Sequence, residues 1–185
     1  MGNQQNSCTL TEKDIALLVK TSGKTEDEIR QWYNEFCLES NNTGRMNKRQ
    51  FQIYYTKLKK NPNLDKITDH IFHAFDADNS GTIDFREFLI AYIATTSGTN
   101  QQKFEYSFDV YDIDDNQLIE KKEARKILSL LCRILDLSED DAKAYTETLM
   151  LTFDTNNDKV LTRTEFINGC LHDSTLAHMS NPFSF

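Results

Sequence analysis

Apolar residues recur at steps of three and four along much of this chain, and that spacing places them on one face of an α-helix. Within residues 25–39 the recurring residues are Ile29, Trp32, Tyr33 and Phe36. The pattern predicts an amphipathic helix over this segment. Only two prolines interrupt the 185 residues, which favours a mostly helical protein.

The two helices nearest the N-terminus carry sequence signals for where they begin. Thr11 with Asp14, and Thr25 with Glu28, have the spacing of a capping box, in which each side chain accepts the other residue's backbone N–H. A first helix is therefore predicted to begin after Thr11 and to break at Gly23. The second is predicted to begin at about Thr25.

The chain repeats a twelve-residue polar segment that has apolar helical sequence before and after it. The four copies begin at residues 39, 76, 112 and 154. Their eighth position is always apolar, and the residues there are Met46, Ile83, Ile119 and Leu161. Buried side chains at that position suit a short antiparallel bridge between two paired segments. The prediction is an all-α fold in which four helix–loop–helix units pair as two lobes.

This pairing divides the chain into four parts. They are an N-terminal arm with the first helix (1–24), an N-terminal pair (25–97), a C-terminal pair (98–173) and a C-terminal tail (174–185). The small polar residues 95–99 are predicted to form a hinge between the two pairs.

The second polar segment, residues 76–87, has oxygen-bearing side chains at the intervals of a Ca²⁺-binding EF-hand loop. Ca²⁺ takes about six to eight oxygen ligands, so a short loop must curl around it with alternate side chains directed inward. Gly81 at position 6 permits the sharp turn because it has no Cβ. The predicted ligands are the side chains of Asp76, Asp78, Ser80, Asp84 and Glu87 and the carbonyl of Thr82.

The third and fourth loops keep most of this pattern. In the third loop the predicted ligands are Asp112, Asp114, Asn116, Glu120, Glu123 and the carbonyl of Leu118. In the fourth they are Asp154, Asn156, Asp158, Thr162, Glu165 and the carbonyl of Val160.

Both of these loops lack the usual glycine at position 6, where Gln117 and Lys159 stand instead. A non-glycine residue in the left-handed region costs about 1–2 kcal/mol, from which we expect roughly tenfold weaker ion binding. With three carboxylates, the fourth loop is expected to bind most weakly of the three. The alternative for both loops is a degenerate structural repeat without an ion.

The first loop, residues 39–50, is predicted not to bind Ca²⁺. Gln50 at position 12 is a neutral amide, and Glu39 at position 1 has a longer side chain than aspartate. Arg45 and Lys48 add positive charge nearby. The expected cofactor is therefore Ca²⁺, as two or three ions, and the first loop is expected to serve as the structural partner of the second.

Composition and charge restrict the function further. A net charge of −8 disfavours a general role on nucleic acid, because phosphates require a basic surface. The four cysteines form no Cys-x-x-Cys pair and no apolar targeting or membrane-spanning segment is present, so we expect reduced thiols in a cytoplasmic protein. Gly2 follows the initiator methionine, as in N-myristoylated proteins. Asn6 stands where that pattern has serine or threonine, so an unmodified terminus is the alternative.

The N-terminal half is rich in aromatic residues at helical spacing. Such a stripe is more often core than binding surface, but a lobe of this length has limited interior. Part of the set is therefore expected to line a groove that opens when Ca²⁺ binds and accepts an amphipathic helix of a target protein. The candidate groove residues are Trp32, Phe36, Phe51, Tyr54, Phe85, Phe88 and Leu89.

Taken together, these motifs resemble the neuronal calcium sensor family over nearly the whole chain. The resemblance is carried by the N-terminal MGN, QWY at 31–33, and the runs at 75–88, 111–123 and 166–173. A disabled first EF-hand followed by usable ones is typical of that family. The chain departs from it at residues 40–42, where Ser-Asn-Asn replaces the usual Cys-Pro pair, so no subgroup is assigned.

The resemblance implies an N-myristoyl group on Gly2 and, in recoverin-like members, an acyl chain held in the N-terminal aromatic pocket until Ca²⁺ releases it. One acyl chain gives only marginal membrane binding, so the implied membrane contact is peripheral and reversible.

The leading hypothesis is a Ca²⁺ sensor that regulates a target protein. The alternatives are a Ca²⁺ buffer without a target, and a constitutive regulatory subunit of an enzyme, as in calcineurin B-like proteins. An enzymatic activity has little support, because the four histidines are scattered along the chain.

Overall fold

The computed structural model describes residues 10–184, and of Pro62 only the backbone. The N-terminal half contains α1 (Glu12–Ser22), α2 (Glu26–Glu39), β1 (Arg45–Met46), α3 (Lys48–Lys59), a 3₁₀ turn (Pro62–Leu64), α4 (Thr68–Phe75), β2 (Ile83–Asp84) and α5 (Phe85–Thr96). The C-terminal half contains α6 (Asn100–Tyr111), β3 (Leu118–Glu120), α7 (Lys121–Ile134), α8 (Glu139–Phe153), β4 (Val160–Thr162), α9 (Arg163–His172) and α10 (Ser174–Ser180).

The predicted ends of the first two helices are confirmed. Thr11 and Thr25 are the N-caps of α1 and α2, and each forms both hydrogen bonds of a capping box with the residue three positions later. Gly23 ends α1 in the left-handed conformation with φ of 67°. These local hydrogen bonds satisfy backbone groups that the helix itself leaves unpaired.

Two short antiparallel bridges join the loops in pairs. Strand β1 pairs with β2, placing Met46 opposite Ile83, and β3 pairs with β4, placing Ile119 opposite Leu161. All four side chains are fully buried. The predicted fold class, an all-α protein with EF-hands paired through short bridges, is confirmed.

The two halves share one continuous apolar core. Helix α6 packs against both α4 and α5. The ring of Phe75, at the end of α4, lies 5.9 Å from that of Tyr106 and 6.2 Å from that of Phe183. Residues 174–180, predicted as part of a tail, form α10, which packs on α9 and buries Leu176 and Ala177. The C-terminal residues therefore contact both halves.

Two further sequence expectations concern membrane helices and thiols. None of the helices within residues 10–184 combines the length and the apolar character needed to cross a bilayer. Cys132 and Cys170 are free and buried.

Candidate metal centre

The second loop starts where α4 ends and curls around the carboxylate of Asp76. The two oxygens of this side chain accept hydrogen bonds from the backbone N–H groups of Ser80 (3.0 Å) and Gly81 (2.8 Å). Gly81 has φ of 79°, which turns the chain back toward Asp76. Asp76 is buried, with 6% of its surface exposed. The loop is thus already curled around its first predicted ligand.

The last predicted ligand of this loop, Glu87, lies on the first turn of α5. Its carboxylate accepts the N–H of Asp78 at 3.3 Å and the N–H of Asp84 at 2.9 Å. Carboxylate oxygens of Asp76, Asp78 and Glu87 all lie within 4.8 Å of one another. Burial raises the pKa of Glu87, and the neighbouring charges of Asp84 and Asp78 raise it further. Clustered carboxylates that repel one another are the arrangement that a divalent cation stabilises.

The third loop repeats this geometry with deeper burial. Asp112 accepts the N–H groups of Asn116 (3.0 Å) and Gln117 (2.9 Å), and Glu123 accepts those of Ile113 and Glu120. Asp112 is 2% exposed and Glu123 is 3% exposed.

Oxygens of Asp112, Asp114 and Glu123 again lie within 4.8 Å of one another. Burial raises the pKa of Asp112. Glu120, at position 9, forms an ion pair with Lys122 at 2.9 Å, and this pair must open if Glu120 is to turn toward an ion.

The fourth loop is less complete. Asp154 accepts the N–H of Lys159 at 2.9 Å through one oxygen, while its other oxygen, Oδ1, is buried without a hydrogen-bond partner in the described part of the chain. An orphaned carboxylate oxygen of this kind fits a metal ligand. The carboxylates of Asp154, Asp158 and Glu165 do not form a cluster as close as those of the other two loops within residues 10–184.

The last predicted ligand of the fourth loop, Glu165, accepts hydrogen bonds from two hydroxyl groups. Glu165 accepts the hydroxyls of Thr155 and Thr162, each at 2.8 Å, in addition to their backbone N–H groups. Burial raises the pKa of Glu165, but these four hydrogen bonds outweigh it and hold the pKa at about 2. The carboxylate therefore stays ionised but is engaged within the loop.

All three of these loops have the same backbone pattern. The residues at positions 4 and 6 have positive φ in each loop: Asn79 and Gly81, Asp115 and Gln117, Asn157 and Lys159. The side-chain oxygens of the three loops are hard donors in a curled loop, which fits Ca²⁺. The structure thus gathers three carboxylates in the second loop and three in the third, and their role as Ca²⁺ ligands stays a prediction.

The first loop has no comparable centre among the described residues. Glu39 is the only acidic side chain in the segment, and Lys57 binds its carboxylate at 2.6 Å. Gln50 is engaged in a capping box with Asn47. These contacts are consistent with the prediction that this loop does not bind Ca²⁺.

The candidate groove residues lie together in the core of the N-terminal half. Phe36, Phe51, Tyr54, Phe85, Phe88 and Leu89 are each 5% exposed or less, and Trp32 is half-buried. The structure therefore shows them in a closed arrangement. Gly2 lies outside the described residues.

Two contacts of the site were not anticipated from the sequence. Arg45 was assigned only a local charge effect within the first loop, yet its side chain reaches the second loop. The register of the bridge, with Arg45 opposite Asp84, is the signal that could have revealed this. The contact of Phe183 with Phe75 joins residues far apart in sequence, and no local pattern predicts it.

Comparison with known proteins agrees with this geometry. The sequence profile of the EF-hand domain pair matches residues 51–92. S-modulin of Aquarana catesbeiana is 32% identical, and human recoverin is 31% identical; each alignment covers 97% of this chain and 92% of the relative. Visinin of Gallus gallus is 27% identical over 97% of this chain and 96% of its own length.

The fold and the loops define a Ca²⁺-binding protein of the EF-hand class. The length and identity of the alignments go further: the chain belongs to the neuronal calcium sensor family. It is a calcium sensor and not an enzyme.

Proposed function

We propose that this protein binds two or three Ca²⁺ ions and then opens the groove of its N-terminal half to an amphipathic helix of a target protein. The observation that carries the proposal is the position of Glu87. This last predicted ligand of the second loop lies on the first turn of α5, between the groove residues Phe85 and Phe88. An ion that draws Glu87 inward would pull on that turn of α5.

The turn is tightly packed against α2 and α3. The ring of Phe85 lies 5.5 Å from that of Phe36, and the ring of Phe88 lies 5.6 Å from Phe36 and 5.2 Å from Tyr54. Because protein cores are closely packed, a displaced turn of α5 cannot keep all these contacts. Rotation of α5 would therefore separate the rings and open the groove.

The energy balance explains why a target is needed. Exposing a buried phenylalanine costs about 1.5–3 kcal/mol, so the open state loses several such contributions to water. A bound Ca²⁺ would supply the positive charge that the clustered carboxylates lack. A target helix that covers the exposed rings would offset the remaining cost, since its own apolar face is buried at the same time.

The test combines calorimetry with the fluorescence of an apolar dye. Glu87→Gln replaces the carboxylate by a neutral amide with a single oxygen, which cannot bind the ion through two oxygens. It should remove one Ca²⁺ site and most of the Ca²⁺-dependent dye signal. Gln50→Ala changes position 12 of the first loop and should remove no site.

Four sites in the unmodified protein would contradict the assignment of a silent first loop. Ca²⁺ binding without any rise in dye fluorescence would identify a buffer and refute the opening of the groove.

We further propose that Gly2 carries an N-myristoyl group and that the protein is cytoplasmic with reversible, peripheral membrane contact. The proposal is supported by the residues MGN and by membership of the family. The mass of the N-terminal peptide from cells tests acylation directly. Co-sedimentation with vesicles, compared between the natural chain and Gly2→Ala, tests the contact, and equal binding by both would refute it.

A further inference from the structure

One cation of the first loop lies against the second loop. In Arg45, Nη1 donates to Oγ of Ser80 at 3.2 Å and to Oγ1 of Thr82 at 2.9 Å. Its Nη2 lies 3.7 Å from a carboxylate oxygen of Asp84. A single side chain from the loop without an ion site thus contacts positions 5, 7 and 9 of the neighbouring loop.

The backbone directs Arg45 to this place. Strand β1 is antiparallel to β2, with Arg45 opposite Asp84 and Met46 opposite Ile83. Because side chains alternate along a strand, burial of Met46 places Arg45 on the other face, beside the second loop. The hydroxyl of Thr43 donates to the carbonyl of Arg45 at 2.7 Å and supports this approach. The contact therefore follows from the pairing of the loops.

The contact engages groups that the second loop needs for its ion. The hydroxyl of Ser80 and the carboxylate of Asp84 are predicted ligands, and both interact with the guanidinium. Two cations that share these oxygens repel each other. We propose that Arg45 lowers the Ca²⁺ affinity of the second loop, and so sets the Ca²⁺ concentration at which the N-terminal half responds. This inference rests on the proposed role of the second loop as a Ca²⁺ site.

The C-terminal pair has no cation at position 7 of either loop. Position 7, which Arg45 occupies in the first loop, is Leu118 in the third loop and Val160 in the fourth. Neither apolar side chain can bind a carboxylate of its partner loop. The effect of Arg45 is therefore expected at the second loop alone, and the third and fourth loops serve as internal references in one titration.

The experiment compares Arg45→Gln with Arg49→Gln by calorimetric titration of the full chain with Ca²⁺. Arg49 is exposed at position 11 of the same loop and has no hydrogen bond or ion pair within the described residues, so it gives the same charge change without the contact. Arg45→Gln should tighten the second site about three- to tenfold, the size expected for one charge near a protein surface. Arg49→Gln should change it less than about twofold, by the same reasoning.

A measurement without Ca²⁺ gives an independent readout. The contacts of Arg45 join the two loops and offset the negative charge of the second, so Arg45→Gln should lower the melting temperature of the chelator-treated protein by about 1–3 °C. Arg45→Lys keeps the charge but has no second nitrogen to contact Asp84 while the first contacts the hydroxyls, and its affinity should lie between those of wild type and Arg45→Gln.

Equal or weaker Ca²⁺ binding by Arg45→Gln, with the second site present in wild type, would overturn the inference alone. If Glu87→Gln binds as many Ca²⁺ ions as wild type, the proposed function is overturned, and this inference with it.

Discussion

Replacing Lys159 by glycine should stabilise the metal-free protein. Lys159 stands at position 6 of the fourth loop and has φ of 71°, in the left-handed region. Its backbone N–H donates to Asp154 at 2.9 Å, a bond that glycine can make equally well. The lysine side chain is exposed and forms no hydrogen bond or ion pair within residues 10–184. The substitution therefore relieves the backbone without removing a side-chain contact.

The magnitude follows from two opposing terms. A left-handed conformation costs a residue with a Cβ about 1–2 kcal/mol. The greater freedom of glycine in the unfolded chain opposes the gain by about 0.4–1 kcal/mol. The net stabilisation is about 1 kcal/mol, which raises the melting temperature of a protein of this size by about 2–4 °C.

The same observation changes the expected effect on ion binding. The sequence alone led us to expect that Gln117 and Lys159 weaken binding roughly tenfold through backbone strain. Both residues have positive φ, and the backbone N–H of each donates to the first carboxylate of its loop, so hydrogen bonds within the loop itself hold this conformation. Strain that is present with and without Ca²⁺ cancels from the affinity and remains only in the free energy of folding.

The assay is urea denaturation of the chelator-treated protein, followed by Ca²⁺ titration of the same variants. Lys159→Ala is the matched control, because it removes the charge and the side chain but keeps the Cβ and the strained backbone. Lys159→Gly should be about 1 kcal/mol more stable than Lys159→Ala. The two variants should bind Ca²⁺ at the fourth loop with equal affinity. A glycine variant no more stable than the alanine variant, or one that binds Ca²⁺ tenfold more tightly, would refute the reasoning.

Two other predictions concern pH and packing. Burial lowers the pKa of His70 to about 4, and the charge of Lys126 acts in the same direction. In the unfolded chain the pKa of this histidine is 6.5, so the unfolded state binds a proton that the folded state does not bind until about pH 4. The free energy of unfolding should therefore fall by about 2–3 kcal/mol as pH falls from 6.5 to 4. His70→Gln should remove that part of the pH dependence of urea denaturation. A Cβ on Gly169 would collide with the ring of Phe153, so Gly169→Ala should destabilise the protein by about 1–3 kcal/mol. Asn168 is exposed, and Asn168→Ala should leave the stability unchanged. Equal melting temperatures for the two variants would contradict this.

Sequence reasoning performed best where the structure is local and repeated. The caps at Thr11 and Thr25 depend on residues three positions apart, and the bridges depend on an apolar eighth position such as Met46. Both signals lie within one segment of chain. The ligand sets are likewise carried by spacing within twelve residues, and three carboxylates of each set lie together in the second and third loops.

The features that sequence reasoning missed depend on contacts between distant segments. The reach of Arg45 into the second loop requires the register of β1 against β2, and its hydrogen bond to Thr82 joins residues 37 positions apart. The stacking of Phe183 on Phe75 requires the packing of one half against the other. Neither contact has a local periodicity, and both emerge only when the complete core is assembled.

The ranking of the loops now has a structural basis that is separate from counting carboxylates. In the second and third loops the last carboxylate, Glu87 or Glu123, accepts backbone N–H groups and keeps its remaining lone pairs available. In the fourth loop two threonine hydroxyls also bind Glu165, and they must turn away before both oxygens can close on an ion. Each displaced hydrogen bond to a charged group opposes binding by about 1.5–3 kcal/mol. We therefore expect weaker Ca²⁺ binding at the fourth loop because of Thr155 and Thr162, and not because of backbone strain at Lys159.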